Sequence, residues 1–176
     1  IANLASASGF ASNPGSHGMP EDGIVMDYVM INGAHLLSHE IGHYLNMIHI
    51  YGSENPSCEG TDGGDLVGDT PDQAWSTFGC PTFPQTDSCT TLSPGIMFMN
   101  FMDQTSTTCQ NLFTLGQVTR MRDALNIVRV SLLSSIGCAA PTGINNLNTD
   151  NVMRMYPNPF NHSTTFEITT GPIYNY

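Results

Sequence analysis

Three histidines and one glutamate within eleven residues have the spacing of a metal-dependent hydrolytic site. The pattern His39-Glu40-x-x-His43 puts two imidazoles four residues apart, so that on a helix they share one face, a single turn apart. Glu40 follows the first histidine directly and can act as a general base beside a metal that the pair holds. His49 comes six residues after His43, too far for the same helical face, and can join the site only if the chain turns back.

The residue at the required turn is Asn46. Asparagine is the non-glycine residue that best tolerates the left-handed conformation of a helix C-cap, so a helix ending here can return His49 to the pair. The stretch therefore predicts a zinc site of three imidazoles (His39, His43 and His49) with Glu40 as its base. Two other interpretations are three unrelated histidines, which this spacing makes a rare coincidence, and a metal site without catalysis.

The elements around this motif follow from the local pattern. Residues 1–23 are small and polar with turn signals, and we expect them to form a loop. The apolar, β-prone run at 24–31 predicts one strand. An Asn-Gly pair then breaks the chain, and a helix is predicted from about residue 34 to residue 45, with apolar residues surrounding the motif.

A second helix is predicted near the end of the main domain. Thr114 and Gln117 have the spacing of a capping box, which places the N-cap at Thr114, and Gly137 is expected to end the helix. The apolar stripe of this helix is typical of a core-facing surface. Its members are Val118, Met121, Leu125, Val128 and Leu132.

The composition excludes several classes of function. Fifteen acidic residues face four basic ones, all arginine, and the net charge of −11 argues against binding to nucleic acid or to anionic membrane surfaces. No apolar run approaches the length of a membrane span. The chain of 176 residues begins at Ile1 without a methionine or a signal sequence, so we expect a fragment or a processed product.

The cysteines indicate an oxidising compartment. Four of them lie between the two predicted helices at spacings without a C-x-x-C pair, which is typical of disulfides. These four are Cys58, Cys80, Cys89 and Cys109. Cys138 is left over, and a lone thiol and a paired one are equally compatible with the sequence.

An acidic, glycine-rich loop follows the histidine motif. Clustered carboxylates among glycine-permitted turns and free carbonyls suit a hard cation such as calcium. The spacing is not that of an EF-hand, and a solvated acidic loop explains the composition equally well. The acids of this loop are Glu54, Glu59, Asp62, Asp65, Asp69 and Asp72.

The histidine motif resembles that of the metzincin metalloproteases, and three further motifs resemble their pappalysin (cytophagalysin) group. Asn100-Phe101-Met102-Asp103 is similar to the methionine turn, Gly68-Asp69-Thr70-Pro71 to a motif before it, and residues 112–121 to the start of the following helix. The four motifs occur in the group's order over about residues 20–137. The resemblance implies an α/β (α+β) zincin domain with an active-site helix, a loop-rich lower subdomain and a C-terminal helix. Most of the N-terminal sheet subdomain would precede Ile1.

The same resemblance implies roles for individual residues of the zinc site. Glu40 would be the general base, and Met102 would form the apolar floor beneath the metal. The implied zinc ligands are His39, His43 and His49.

Outside the zinc site, the resemblance implies two disulfides and a structural calcium ion. The implied cysteine pairs are Cys58–Cys89 and Cys80–Cys109. The implied calcium ligands are Asp65, the carbonyls of Gly64 and Val67, and Thr70.

The sequence departs from the group at three positions. Many metzincins have glycine where Asn46 stands, although asparagine can make the same turn. Some relatives have a tyrosine two residues after the turn methionine that steadies the tetrahedral intermediate. Gln104 stands there in this chain, and its amide donates a hydrogen bond but reaches less far. Relatives that prefer arginine on the primed side have an acid where this chain has Thr107, so a basic specificity is not carried over.

The tail resembles the start of a different domain. Tyr156-Pro157-Asn158-Pro159-Phe160 is similar to the opening of the C-terminal sorting domain of the type IX secretion system. We therefore expect an N-terminally incomplete catalytic domain at 1–137, a linker at 138–151 and a truncated β-type sorting domain at 152–176. This organisation implies export by the type IX machinery to the surface or surroundings of a Gram-negative cell.

Together these features predict a secreted zinc endopeptidase that acts on protein or peptide substrates through a zinc-activated water. The alternative is a non-catalytic extracellular module that uses zinc and calcium for folding or adhesion. A fourth protein ligand, such as His35 or a carboxylate, would close the site and favour that module. An open position beside Glu40 favours the enzyme.

Overall fold

The structure, a computed structural model, describes residues 4, 8–30, 35–52, 58, 64–137, 151–156 and 165–170. It divides into two units, Ile1–Ser134 and Ser135–Tyr176. The first unit carries the histidine motif on a mixed α/β framework. Among the described residues, no helix has the length and apolar character that crossing a membrane requires.

A short antiparallel pair of strands precedes the motif. β1 (Gly9–Ala11) pairs with β2 (Ile24–Met26), with Phe10 opposite Val25. The loop prediction for 1–23 was therefore wrong at β1, which depends on a partner strand that its own three residues do not reveal.

β2 is shorter than the strand predicted at 24–31. Asp27 ends it, because its Oδ1 accepts a hydrogen bond from the Val29 amide at 2.8 Å and its carbonyl accepts one from the Met30 amide at 3.1 Å. These bonds form a 3-10 turn over Tyr28–Met30 in place of a continued strand.

The helix that carries the first two histidines is α1 (Leu36–Tyr44), and it packs against β1 and β2. It ends as the sequence predicts, since Asn46 has φ 72°. The Asn46 amide donates to the His43 carbonyl at 3.0 Å and the Met47 amide to the Gly42 carbonyl at 2.8 Å. This pair of bonds is a Schellman motif, and it turns the chain toward His49.

The second helix, α2 (Leu115–Ile127), begins at the predicted capping box, in which both bonds between Thr114 and Gln117 are present. It ends ten residues before Gly137, so the prediction of its C-terminus was wrong. Arg129 causes the early end: its amide donates to the Ala124 carbonyl at 2.9 Å, and its fully buried side chain leaves the helical path. A 3-10 helix follows at Val130–Ser134. Two members of the predicted core stripe, Val128 and Leu132, are exposed as a result.

The core lies beneath the histidine motif and positions it. It joins the turn after α1, the acidic loop, the methionine turn and α2, which are four segments distant in sequence. Its buried members are Met47, Ile50, Tyr51, Val67 and Met102, with Met97, Phe113 and Met121 packed against them.

In the second unit, β3 (Asn151–Tyr156) pairs with β4 (Thr165–Thr170) as an antiparallel hairpin, with Arg154 opposite Glu167. Cys138, residues 139–150 of the predicted linker and residues 157–160 of the tail motif lie outside the described residues. The domain organisation proposed from the sequence stays a prediction.

Candidate metal centre

Three imidazole nitrogens converge at the end of α1. His43 Nε2 lies 3.0 Å from His39 Nε2 and 3.2 Å from His49 Nε2. Three nitrogens bound tetrahedrally to zinc at its usual bond length lie about 3.4 Å apart, so the three atoms stand close to ligand positions. Within the described part of the chain, these histidines are the one group of metal-binding side chains that meets in this way.

Hydrogen bonds at the far side of two rings leave the converging nitrogens free to bind a cation. His39 Nδ1 lies 2.6 Å from the Phe101 carbonyl, and His43 Nδ1 lies 2.9 Å from the Met47 carbonyl. A carbonyl can only accept, so Nδ1 carries the proton and Nε2 presents its lone pair. Burial lowers the pKa of His39 and that of His49 to about 4 and also lowers the pKa of His43, so all three rings are neutral at neutral pH. The donor set therefore fits zinc.

Glu40 lies buried at the same place, with 4% of its surface exposed. The backbone of β1 runs against its carboxylate, since a Cβ built on Gly9 would lie 2.9 Å from Glu40 Oε1. Burial raises the pKa of Glu40 to about 7, whereas a cation on the histidines would favour its carboxylate form. A carboxyl group buried beside a metal position can exchange a proton with a bound water, which is the role predicted for Glu40.

An open cleft of about 670 Å³ runs over the three histidines and Glu40. β1 lines the cleft with Gly9 and Phe10, and the chain after the methionine turn lines it with Gln104 and Thr107. An extended peptide can therefore reach the metal position from outside.

Met102, the predicted floor of the metal site, packs against the helix that carries His39 and His43. It is fully buried, its amide donates to Asn100 Oδ1 at 2.9 Å, and its carbonyl accepts from the Ile50 amide at 3.1 Å. A Cβ built on Gly42 would overlap the Met102 sulfur. Only glycine at this position lets α1 rest directly on the thioether.

A Gly42→Ala variant is expected to unfold more easily by about 1–3 kcal/mol, because the added methyl group overpacks the contact with Met102. Gly23→Ala is the matched control, since a Cβ there meets no atom of the described residues within 4 Å. Urea denaturation of both variants and the parent measures the effect. Equal losses of unfolding free energy in both variants would contradict the close contact between Gly42 and Met102.

The structure brings Gln104 to the site and leaves His35 out of it. Gln104 Nε2 lies 3.2 Å from His49 Nε2, and the exposed side chain faces the cleft. The His35 ring packs instead against Phe101, with centroids 5.2 Å apart. Thr107 is half-buried on the cleft wall.

Sequence reasoning missed two residues of the site. Tyr51 stacks its ring on His49, and Asp103 lies buried behind Gln104. Asp103 accepts from Gln73 Nε2 at 2.9 Å, from the Thr77 amide at 2.9 Å and from the Gln104 amide at 2.8 Å. The signal available for Tyr51 was its position two residues after the third histidine; Asp103 gave none beyond its place in the methionine turn.

Three of the expected calcium ligands are in contact in the acidic loop, namely Asp65, Val67 and Thr70. Asp65 is fully buried, and its Oδ1 accepts from the Val67 amide at 3.0 Å and from Thr70 Oγ1 at 2.8 Å. Among the described residues, its Oδ2 is buried without a hydrogen-bond partner. Burial raises the pKa of Asp65 to about 7. Gly64, with φ 72°, lies in the same loop. Glu54, Glu59 and Asp62 lie outside the described residues.

Both disulfides are present. Cys58 is bonded to Cys89 and Cys80 to Cys109, which is the pairing that the resemblance implies. They close the long loop between α1 and α2 in two overlapping rings.

Comparison with known proteins agrees with this geometry. The family model for peptidase M43, described as pregnancy-associated plasma protein-A, matches residues 2–126. An extracellular metalloprotease of Aspergillus oryzae is 44% identical over 84 residues, covering 48% of this chain and 25% of the relative. One of Sordaria macrospora is 37% identical over 105 residues, covering 60% of this chain and 34% of the relative.

Solved structures are similar too. Mature mirolysin of Tannerella forsythia, in complex with a cleaved peptide, superposes with a TM-score of 0.64 at 41% identity. The match covers 70% of this chain and 49% of mirolysin. The chain thus spans about half of this structure and a quarter to a third of the two curated relatives.

Proposed function

Because the chain belongs to the peptidase M43 family, we propose that it is a zinc-dependent endopeptidase that hydrolyses protein substrates outside the cell. The observation that carries the proposal is the convergence of three Nε2 lone pairs beside the buried carboxylate of Glu40, at the floor of an open cleft. The proposed zinc ligands are His39, His43 and His49.

The chain's own residues divide the work of hydrolysis. Zinc, when bound, would polarise the scissile carbonyl and lower the pKa of a bound water to about 7. Glu40 takes the proton of the attacking water on its carboxylate and returns it to the leaving amine. The Gln104 amide donates a hydrogen bond to the carbonyl oxygen as negative charge develops there.

The described residues favour this enzyme over a non-catalytic zinc module. A structural zinc site is usually closed by a fourth protein ligand. His35 packs against Phe101, and no carboxylate of the described residues joins the three histidines. The three histidines line the open cleft, so a substrate could reach a metal held there.

Digestion of a denatured-proteome peptide library by the full chain tests the proposal. We expect cleavage at internal peptide bonds that a zinc chelator abolishes and added zinc restores. A digest with no chelator-sensitive cleavage at all would overturn the proposal. The residues around the cleaved bonds show whether the protein, with uncharged Thr107 in its cleft, lacks the preference for arginine on the primed side.

We extend the proposal to a structural calcium ion in the acidic loop. The supporting observation is Asp65 Oδ2, which is buried and has no hydrogen-bond partner within the described part of the chain. A buried oxygen without a partner is costly, and a hard cation would satisfy it. Thr70 Oγ1 lies within 2.8 Å of the other carboxylate oxygen. The carbonyls of Gly64 and Val67 belong to the same loop.

Calcium is therefore expected to raise the melting temperature of the parent protein by several degrees when its concentration is about 100 times the dissociation constant. The rise should disappear in Asp65→Asn, which loses the ligand charge. The control is Asp123→Asn, an exposed acid on α2 that should respond like the parent. Equal shifts for all three proteins in a calorimetric scan would place calcium elsewhere.

The location proposed for the protein is extracellular, in agreement with its two disulfides and with relatives named extracellular metalloproteases. The finer proposal, export by the type IX machinery of a Gram-negative cell, rests on the resemblance of residues 156–160. The curated relatives cited above are fungal. Equal amounts of the protein outside type IX-competent and type IX-deficient cells would refute the finer proposal.

A further inference from the structure

We propose that Tyr51 is a positioning residue of the metal centre. Its ring fixes the plane of His49, and its hydroxyl fixes the side-chain amide of Gln104 beside the metal position. The inference rests on the peptidase function proposed above and adds a division of labour to it. The phenol of Tyr51 orients the amide of Gln104, and that amide donates the hydrogen bond to the transition state.

The first contact is the stack on His49. The two rings have centroids 4.8 Å apart and planes 17° apart. Tyr51 is 5% exposed and belongs to the buried core with Ile50 and Met102, so its ring is held on the side away from the histidine. His49 follows a loop rather than a helix, and a flat, immobile neighbour therefore restricts its ring plane. This complements the orientation of His39 and His43 by carbonyl bonds at Nδ1.

The second contact is the hydrogen bond to Gln104. Gln104 Nε2 donates to the Tyr51 hydroxyl at 3.3 Å, and the Gln104 backbone amide donates to Asp103 Oδ1 at 2.8 Å. An exposed glutamine side chain has several rotatable bonds. The bond to Asp103 holds the backbone from which this side chain starts, and the bond to Tyr51 holds the amide at its tip. The amide is therefore oriented before a substrate arrives, which is the condition for a donor to favour the transition state.

The remaining N–H of the amide faces the site. Gln104 Nε2 lies 3.2 Å from His49 Nε2, the atom that a zinc ion would take as its ligand. Once that lone pair is engaged, the N–H has lost this acceptor and can donate to the carbonyl oxygen of a bound peptide. Tyr51 acts on the reacting atoms through Gln104 and His49, so it positions and does not itself react.

Kinetics of two single variants and their double variant test the Gln104 contact. Gln104→Ala is expected to lower kcat about 100-fold, as for the loss of one oxyanion donor. Tyr51→Phe keeps the stack but removes the hydroxyl, and it should lower kcat about 10-fold while KM changes less than about 2-fold. The double variant should be no slower than Gln104→Ala, because the hydroxyl acts through the amide. Tyr28→Phe, an exposed tyrosine, should match the parent.

A binding measurement separates positioning from general damage. A phosphinic peptide, which mimics the tetrahedral state, should bind zinc-loaded Tyr51→Phe about 10-fold more weakly than the parent, whereas the ground-state peptide should bind equally. Additive losses in the double variant, or parent-like values for Tyr51→Phe in both experiments, would overturn the Gln104 role.

Zinc affinity tests the contact with His49 independently of any peptidase activity. Tyr51→Leu removes the stack and should weaken zinc binding about 10-fold or more, while Tyr51→Phe should bind zinc like the parent. Equal affinities in all three proteins would overturn the His49 role, and Tyr51→Phe keeps the amide test valid if Tyr51→Leu does not fold. If the zinc affinities follow this order but the parent cleaves no peptide, the proposed function is refuted, whereas the role of Tyr51 in holding His49 stands.

Discussion

A Glu40→Gln variant is expected to keep its zinc and to lose peptidase activity by a factor of about 100 to 10,000 in kcat. The amide has the shape of the carboxylate, so it fits the buried space against β1, but it cannot accept a proton from water. Glu40 is separate from the three nitrogens that converge in the site. Metal content should therefore stay at the parent value while the proton transfer is lost.

Glu21→Gln is the matched control, because it makes the same change at an exposed glutamate. Hydrolysis of a quenched fluorescent peptide and zinc analysis of the same samples measure both quantities. Parent-like hydrolysis by Glu40→Gln would remove Glu40 from the mechanism. A variant that has lost its zinc would instead make Glu40 a part of the metal site.

An Arg129→Met variant is expected to lose about 3–5 kcal/mol of unfolding free energy, because Arg129 joins three segments from a fully buried position. Its Nε donates to the Tyr44 carbonyl at 2.7 Å and its Nη1 to Asp22 Oδ1 at 2.6 Å. Its Nη2 donates to the carbonyls of Ser12 and Asn13 at 3.0 and 3.1 Å. The guanidinium also lies 3.4 Å from the centre of the Tyr44 ring. Removing it leaves the half-buried Asp22 carboxylate without its cation and takes one donor from each carbonyl, although Asp22 Oδ1 keeps the Ser12 hydroxyl and the Asn13 carbonyl keeps the Ser16 amide.

The pH dependence of Asp22→Asn tests the same cluster. The Arg129 guanidinium holds the pKa of the Asp22 carboxyl well below its usual range. A carboxyl with a depressed folded-state pKa stabilises the fold above its unfolded pKa of about 4 and loses that contribution as pH falls toward the folded value. The parent should therefore be more stable than Asp22→Asn at pH 7, and the difference should shrink below pH 4.

Arg122→Met is the control for the arginine substitution, since Arg122 is exposed on the same helix and should change stability by less than about 0.5 kcal/mol. Urea denaturation at several pH values measures all three variants. Losses of the same size at Arg122 and Arg129, or a gap for Asp22→Asn that widens in acid, would contradict the role of the buried ion pair.

The parts of the site that depend on local chemistry could be predicted from the sequence. The helical spacing of His39 and His43, the left-handed turn at Asn46 and the capping box at Thr114 each involve residues a few positions apart. Their geometry follows from backbone preferences that the residue types themselves carry. The composition of the loops and the spacing of the cysteines predicted an oxidising compartment.

The parts of the site that depend on partners distant in sequence could not be predicted in this way. Arg129 stands in a pattern that continues as a helix, and its partners lie 85 to 117 residues away. Gln104 and Tyr51 are 53 residues apart. No sequence periodicity and no local backbone preference indicates that such side chains meet. The end of α2 and the contacts that hold His49 could therefore be seen only in the folded structure.

The most direct test of the central claim is a zinc titration of the metal-free full chain while hydrolysis of a peptide is followed. We predict that hydrolysis is absent without metal, rises in proportion to added zinc and saturates at one zinc per chain. Saturation of zinc binding at one ion per chain with no hydrolysis at any point, or hydrolysis that proceeds unchanged without metal, would contradict it.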